Sequence, residues 1–243
     1  MTKATPGRKL TVWGVVDPEN RKRRITPVLL DEHYGWHSAF EDGIRWRLCA
    51  QGVEIEGGGI ERTPGEPITV KRIWEAHRIN IDYWSQKFAV HAATIIACIA
   101  TESRGNPKAQ RQEPGFLSDK LTPNKVSAGL MQTLLSTARE AIDDPDIDRW
   151  WMLKPNNSIR AGAAYMHDQR RKTRIDLPKV AAAYNAGGVY HQAGAANRWK
   201  MRCFPIGTGE HIDRFVKWFN DAVAMLGDHP NQPMVPWPEG PIR

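Results

Sequence analysis

Glu102 is the residue of this sequence best placed for acid–base chemistry. It ends an apolar run, His91 to Thr101, and Gly105 and Pro107 soon after it stop any helix. A carboxyl at the end of a buried helix, next to a forced break, can face a cleft while its stem stays among apolar groups. Such burial disfavours the ionised form, and a carboxyl that stays protonated near neutral pH can act as a general acid. Two further strings follow, Ser127-Ala-Gly-Leu-Met-Gln132 and Ala182-Ala-Tyr-Asn-Ala-Gly187. They set Gln132, which offers both a donor and an acceptor, and the phenol of Tyr184 among small and apolar neighbours. Gly187 can take the left-handed backbone with which helices often end.

The elements that position these residues read as helices. Val70, Ile73, Ala76, Ile79 and Tyr83 recur every three or four positions, which predicts a helix with those residues on its buried face. The run ending at Glu102 is the next helix. Ser136 or Thr137 is expected to cap another, through Ala141-Ile142, and Asp143 to Asp146 end it. Residues 158–172 suit a helix with Ile159, Ala163 and Met166 on one face. Asp176 is expected to cap the following one, with Pro178 in its first turn and Gly187-Gly188 at its end. Glu210 to Leu226 is amphipathic, with Ile212, Phe215, Val216, Phe219 and Val223 sharing a face. Residues 1–69 differ: Leu10 to Val16 and Gly52 to Glu56 alternate weakly in the manner of strands, and Gly57 to Gly59 and Thr63 to Gly65 mark a loop. The expectation is a mainly α protein in three parts. An N-terminal extension, 1–69, with β-strand character precedes a helical domain, 70–226, and a tail, 227–243, with five prolines.

Composition sets bounds on function. Hydrophobic content of 41% and charged content of 25% over 243 residues are ordinary for a globular chain, and no run approaches a membrane span. The first ten residues hold no apolar stretch of the signal-peptide type, so delivery to a wall would be expected by another route. The three cysteines, Cys49, Cys98 and Cys203, have no zinc-site spacing, and Cys98 reads as a small core residue. His33 and His37 lack the glutamate that follows the first histidine of a metalloprotease helix, so neither metal nor cofactor is expected. The formal charge of +7 gathers in Arg21 to Arg24 and Arg170 to Arg174, which suits a solvated face or an anionic wall or membrane surface. No nucleic-acid motif accompanies it, and no nucleic-acid partner is expected.

Taken together and in order, Glu102-Ser103, Ser127 to Gln132 and Ala183 to Gly187 resemble the catalytic domain of soluble lytic transglycosylases, over roughly residues 71–225. That family has a goose-type lysozyme-like fold and cuts the glycan strands of peptidoglycan. Ser158-Ile-Arg-Ala-Gly-Ala-Ala-Tyr165 is similar to a further family string, with Ser158 where the family often has asparagine. The segment Gln110 to Asn124 is an insertion relative to compact members and resembles those of bacteriophage-encoded ones. Ser118 within it is a candidate for the serine that the family carries in this link.

The resemblance implies one catalytic acid, Glu102, and substrate contacts from Ser103, Ser127, Gly129, Met131, Gln132, Tyr184 and Asn185. It implies cleavage between N-acetylmuramic acid and N-acetylglucosamine with a 1,6-anhydro product, in the periplasm or cell wall after phage lysis, virion delivery or injection. Trp150, Trp151 and Trp199 flank the motifs and are candidates for stacking on sugar. Two rivals stand beside this reading. One is a hydrolytic muramidase that uses Glu113 or Asp119 as a second carboxylate. The other is a non-catalytic wall-binding or structural virion protein. Residues 1–69 are expected to be dispensable for bond cleavage and useful in engaging the wall or in stability.

Overall fold

The computed structural model describes residues 33–227. The strand expected at Leu10 to Val16, the Arg21 to Arg24 cluster and nearly all of the proline-rich tail lie outside them. Three short strands come first: β1 (Trp46–Cys49), β2 (Gly52–Ile55) and β3 (Gly59–Ile60), antiparallel in the order β1-β2-β3. Two helices follow, α1 (Ile68–Phe88) and α2 (Ala92–Ser103), then a second sheet of β4 (Gln110–Gln112), β5 (Val126–Ala128) and β6 (Thr133–Leu134) with β5 in the middle. The rest is helical: α3 (Leu135–Ile142), α4 (Arg149–Met152), α5 (Pro155–Asp168), α6 (Arg170–Thr173), α7 (Leu177–Ala186) and α8 (Glu210–Gly227). The protein is mainly α, as its helical periodicities predict.

α2 is the axis of the core. Every residue from Ala92 to Ala100 is buried, so the helix has no solvent face and must be enclosed on all sides. α8 and α1 enclose it, α5 packs on α1, and α7 on α8. A second, smaller core lies under the β4–β6 sheet and joins Val126, Ala128, Leu135, Ala138, Ile147, Met152 and Ala161. The turn between β5 and β6 ties the two together, because Leu130 and Met131 belong to the main core while Val126 and Ala128 belong to the smaller one.

Several boundaries differ from expectation for local reasons. The buried stripe of α1 is Val70, Ile73, Trp74, Ile81 and Ser85, whereas Ala76, Ile79 and Tyr83 are exposed. Two apolar stripes compete on this helix, and the one with Trp74 faces the core. α3 starts at Leu135 with no side-chain cap, so neither Ser136 nor Thr137 caps it. Asp176 does hold the N-cap position of α7, but its side chain makes no capping bond and turns to His37, Trp46 and Lys179. α8 buries Ile212, Phe215, Val216 and Phe219, as its pattern predicts.

The first sheet is no separate extension. Trp46, Leu48, Val53 and Ile55 lie in the same core as α2 and α8. The Asn220 side chain of α8 accepts from the Val53 N–H at 2.7 Å and donates to the carbonyls of Val53 and Glu61 at 3.0 and 2.8 Å. Gly52 makes this approach possible, since a Cβ there would lie 2.2 Å from the Asn220 Oδ1. The boundary expected at residue 69 therefore cuts through the core. Trp46→Ala should lower stability to urea by about 3–5 kcal/mol, the usual range for emptying a buried aromatic site. A chain beginning at Ile68 should lose its cooperative unfolding transition, which circular dichroism would record.

Candidate active site

Glu102 occupies the last turn of α2. Arg104 then takes a left-handed backbone with φ of 52° and Gly105 follows with φ of 81°, so the helix breaks where Gly105 and Pro107 predict. Arg72 donates to the Arg104 carbonyl at 2.7 Å and fixes the break. The Glu102 side chain keeps 19% of its exposure, enough for an oxygen to reach solvent while the stem stays buried. Desolvation raises its pKa to about 7, against the opposing positive fields of Arg214 and Arg111. The same burial, helped by Glu102, pushes the Cys98 thiol one turn back well above its usual range.

The other motif residues lock onto one another around this carboxyl. The Ser103 hydroxyl donates to the Leu130 carbonyl at 2.7 Å, tying the end of α2 to the β5–β6 turn. In that turn Gly129 has φ of 79°, and a Cβ on it would lie 2.1 Å from the Met152 carbonyl. The close approach that requires glycine is thus to protein rather than to a sugar. Gln132 gives both amide hydrogens to carbonyls, of Ala109 at 2.9 Å and Gly129 at 2.8 Å, and accepts from the Ser127 hydroxyl at 3.1 Å. Met131 is fully buried, and a Cβ on Gly162 would strike its sulfur at 2.5 Å, so its side chain is packed tightly in the core. Ser158 accepts the Met131 N–H at 3.1 Å, the bond for which a polar side chain is needed there.

Tyr184 and Asn185 close the arrangement from the end of α7, where Gly187 caps the helix with φ of 78°. The Tyr184 phenol bonds to the Met131 carbonyl at 2.9 Å and to the Thr133 hydroxyl at 2.8 Å, and burial holds it well above its usual pKa. Asn185 accepts the Phe204 N–H at 2.6 Å, and its amide nitrogen lies 3.4 Å from the Nδ1 of His211. The Nε2 of His211 in turn lies 3.7 Å from Oε1 of Glu102. His211, in the first turn of α8, belongs to none of the three strings and has no local sequence signal.

The family model described as the transglycosylase SLT domain matches residues 79–201, which hold Glu102 and both later strings. The chain belongs to that family. Its mainly α architecture is that of a lysozyme-like SLT domain. Among solved structures, an inactive mutant of the lytic transglycosylase Slt from Pseudomonas aeruginosa is 23% identical, with a TM-score of 0.47. The likeness covers 68% of this chain and 26% of that one, so the chain spans about a quarter of that protein's length. No curated protein sequence matches the chain.

Within this SLT domain the remaining candidates have partners of their own, or stand exposed. Asp119 pairs with the Arg149 guanidinium at 2.7 Å and accepts the Arg149 N–H at 3.0 Å, which staples the insertion to α4. Glu113 pairs with Arg111 at 2.8 Å. Ser118 accepts the Leu121 N–H at 3.1 Å inside the insertion. Trp199 is a core residue, stacked edgewise on Trp46 at 5.5 Å with its indole N–H on Asp213, while Trp150 is exposed. The nearest approach to a metal set among the described residues is His33, His37 and Asp176, whose ligand atoms lie within 4.8 Å of one another. His37 faces an oxygen acceptor with each nitrogen, Gly35 O and Asp176 Oδ2, both at 2.8 Å. Burial is the largest influence and opposes its charge, but the bond and charge of Asp176 and the Gly35 carbonyl together outweigh it and the pKa rises.

The raised Glu102 carboxyl has a cost in stability. Its folded value lies above its unfolded one, so its contribution is complete below about pH 4.5 and is lost as pH rises through about 7. Glu102→Gln removes this loss. Between about pH 4.5 and 8 the variant should gain on the parent by roughly 3 kcal/mol, read from urea unfolding at the two ends.

Proposed function

We propose that this SLT domain is a peptidoglycan lytic transglycosylase in which Glu102 serves alone as acid and then as base. The observation that carries the reading is the desolvated carboxyl at the end of α2, raised to about 7, with both rival carboxylates committed to arginines. The acid must be protonated when substrate binds, and a pKa near the working pH suits it to both giving and taking a proton.

The reaction follows from one carboxyl. Glu102 gives its proton to the oxygen linking N-acetylmuramic acid to N-acetylglucosamine as the C1–O bond breaks. Positive charge grows on the muramoyl ring, and Glu102 is left ionised in the field of Arg111 and Arg214. The muramoyl C6 hydroxyl closes on C1 and returns its proton to Glu102. The bond exchange is balanced, consumes no water and leaves a 1,6-anhydro ring. Because the nucleophile is already attached to the reacting sugar, holding it in line gains an intramolecular advantage that does not require a second carboxylate. Ser103, Ser127, Gly129, Met131 and Gln132 are read here as the scaffold of the cleft, with Tyr184 and Asn185 at its wall. The long segment between Glu102 and Gly129 supports a bacteriophage-type member acting on the wall after lysis or delivery.

Glu102→Gln should abolish lysis of purified walls without loss of fold. Glu113→Gln and Asp119→Asn should retain it. Mass spectrometry of digests should show muropeptides lighter by one water than muramidase products. Reducing ends as the main product, lost on changing Glu113 or Asp119, would replace this reading with hydrolysis.

A further inference from the structure

His211 is the one buried polar side chain beside Glu102 that the proposed chemistry leaves without a role. It is 3% exposed, and its Nε2 has no hydrogen-bond partner, a costly state for a buried polar atom. That nitrogen points at Oε1 of Glu102 from 3.7 Å, about 0.8 Å longer than an ordinary N–H···O bond. Bonds of this kind in an empty active site often tighten only when substrate is bound.

The proton on this ring is fixed from the far side. The backbone N–H of Phe204 can only donate, so the Asn185 atom 2.6 Å away must be its carbonyl oxygen. The other end of that amide, its NH2 group, then faces Nδ1 of His211. Nδ1 must accept, so the neutral ring carries its hydrogen on Nε2, towards Glu102. The opposite tautomer would set two donors against each other at Asn185. The doubly protonated ring meets the same clash, and burial and the charge of Arg214 hold its pKa down to about 4.

We propose that His211 is a positioning residue for Glu102: its Nε2–H, fixed in one tautomer by Phe204 and Asn185, holds Oε1 of the carboxyl and leaves the other oxygen to carry the proton that is transferred. The proposal rests on Glu102 as the acid. An N–H aimed at a carboxylate favours the ionised form, which exists only after the proton has left. His211 therefore steadies the state in which Glu102 waits to act as base. It also works in the same direction as Arg111 on β4 and Arg214 on α8, against the burial that raises the acid. The other groups facing Glu102 are Cys98 on α2 and Tyr184 on α7, both pushed up and neutral over the range of interest. Between about pH 5 and 9 the alkaline limb of activity therefore reports Glu102.

Two measurements test this. In the parent protein without substrate, long-range proton–nitrogen NMR of the His211 ring should show the Nε2–H tautomer from about pH 5 to 8. The Nδ1–H tautomer, or an imidazolium in that range, would overturn the proposal. In wall lysis, His211→Phe should move the alkaline limb up by about one pH unit and lower the maximal rate, whereas His211→Gln, which keeps an N–H donor, should leave the limb near the parental position. A side chain that only filled space would lower the rate of both variants with no movement of the limb, and that result would refute the positioning role. If His211→Phe does not fold, the tautomer and the His211→Gln limb decide, a displaced limb counting against. Lysis by Glu102→Gln would sink the reading of the acid and leave the tautomer result standing, so the two failures are distinguishable.

Discussion

The site depends on the burial of α2 to its last turn. A helix with no polar face can exist only if other elements wrap it, and α1 and α8 do so along its length. The wrapping ends where the helix ends, at Arg104 and Gly105, so the side chain of the final turn is half in the core and half out. A carboxyl placed there loses most of its hydration and also meets the negative end of the helix dipole, and both effects favour its protonated form. The acidity of Glu102 is thus a consequence of where the apolar run stops. The chain needs no second carboxylate to raise it.

Around that carboxyl the motif residues spend their polar atoms on one another. Ser103 reaches Leu130, Tyr184 reaches Met131, Ser158 reaches the Met131 amide, and Gln132 spans Ala109, Gly129 and Ser127. The turn from Gly129 to Gln132 is held at both ends and at its centre, and it bridges the two cores. Such a network fixes the positions of the groups around Glu102.

The sequence makes the acid, the helix that carries it and the order of the strings legible, because each is a local pattern: an apolar run, a glycine and proline stop, a glycine cap at 187. The α8 stripe is readable for the same reason. Other features depend on distant partners. Which apolar stripe of α1 turns inward is decided by α2 and α5. The strand Trp46–Cys49 is four residues long and is tied to the core by Asp176, and its neighbour Gly52–Ile55 by Asn220, both far along the chain. Asp176 looks like a helix cap in the sequence and is one by position, yet its carboxylate serves His37, Trp46 and Lys179. Gln132 and Met131 read as contacts for a substrate because their types suit one, while the fold has already used their atoms. His211 is legible only in three dimensions, since Asn185 and Glu102 give it meaning.

One further constraint links the chemistry to the choice of neighbours. A lone carboxyl that gives a proton and then takes one back must be comfortable in neither state. Burial alone would hold it protonated and make it a poor acid, while a close cation would hold it ionised. Arg111 and Arg214 act from exposed positions, where solvent weakens them, and they moderate the desolvation without cancelling it. A carboxylate in their place would push the acid further up, and a bonded lysine or arginine would hold it ionised. Glu113 pairs with Arg111 and Asp119 with Arg149, and neither carboxylate contributes to the raised value of Glu102. A neutral donor is the remaining kind of neighbour that can favour the ionised state without fixing it, and an imidazole held neutral by its own burial, like His211, is such a donor.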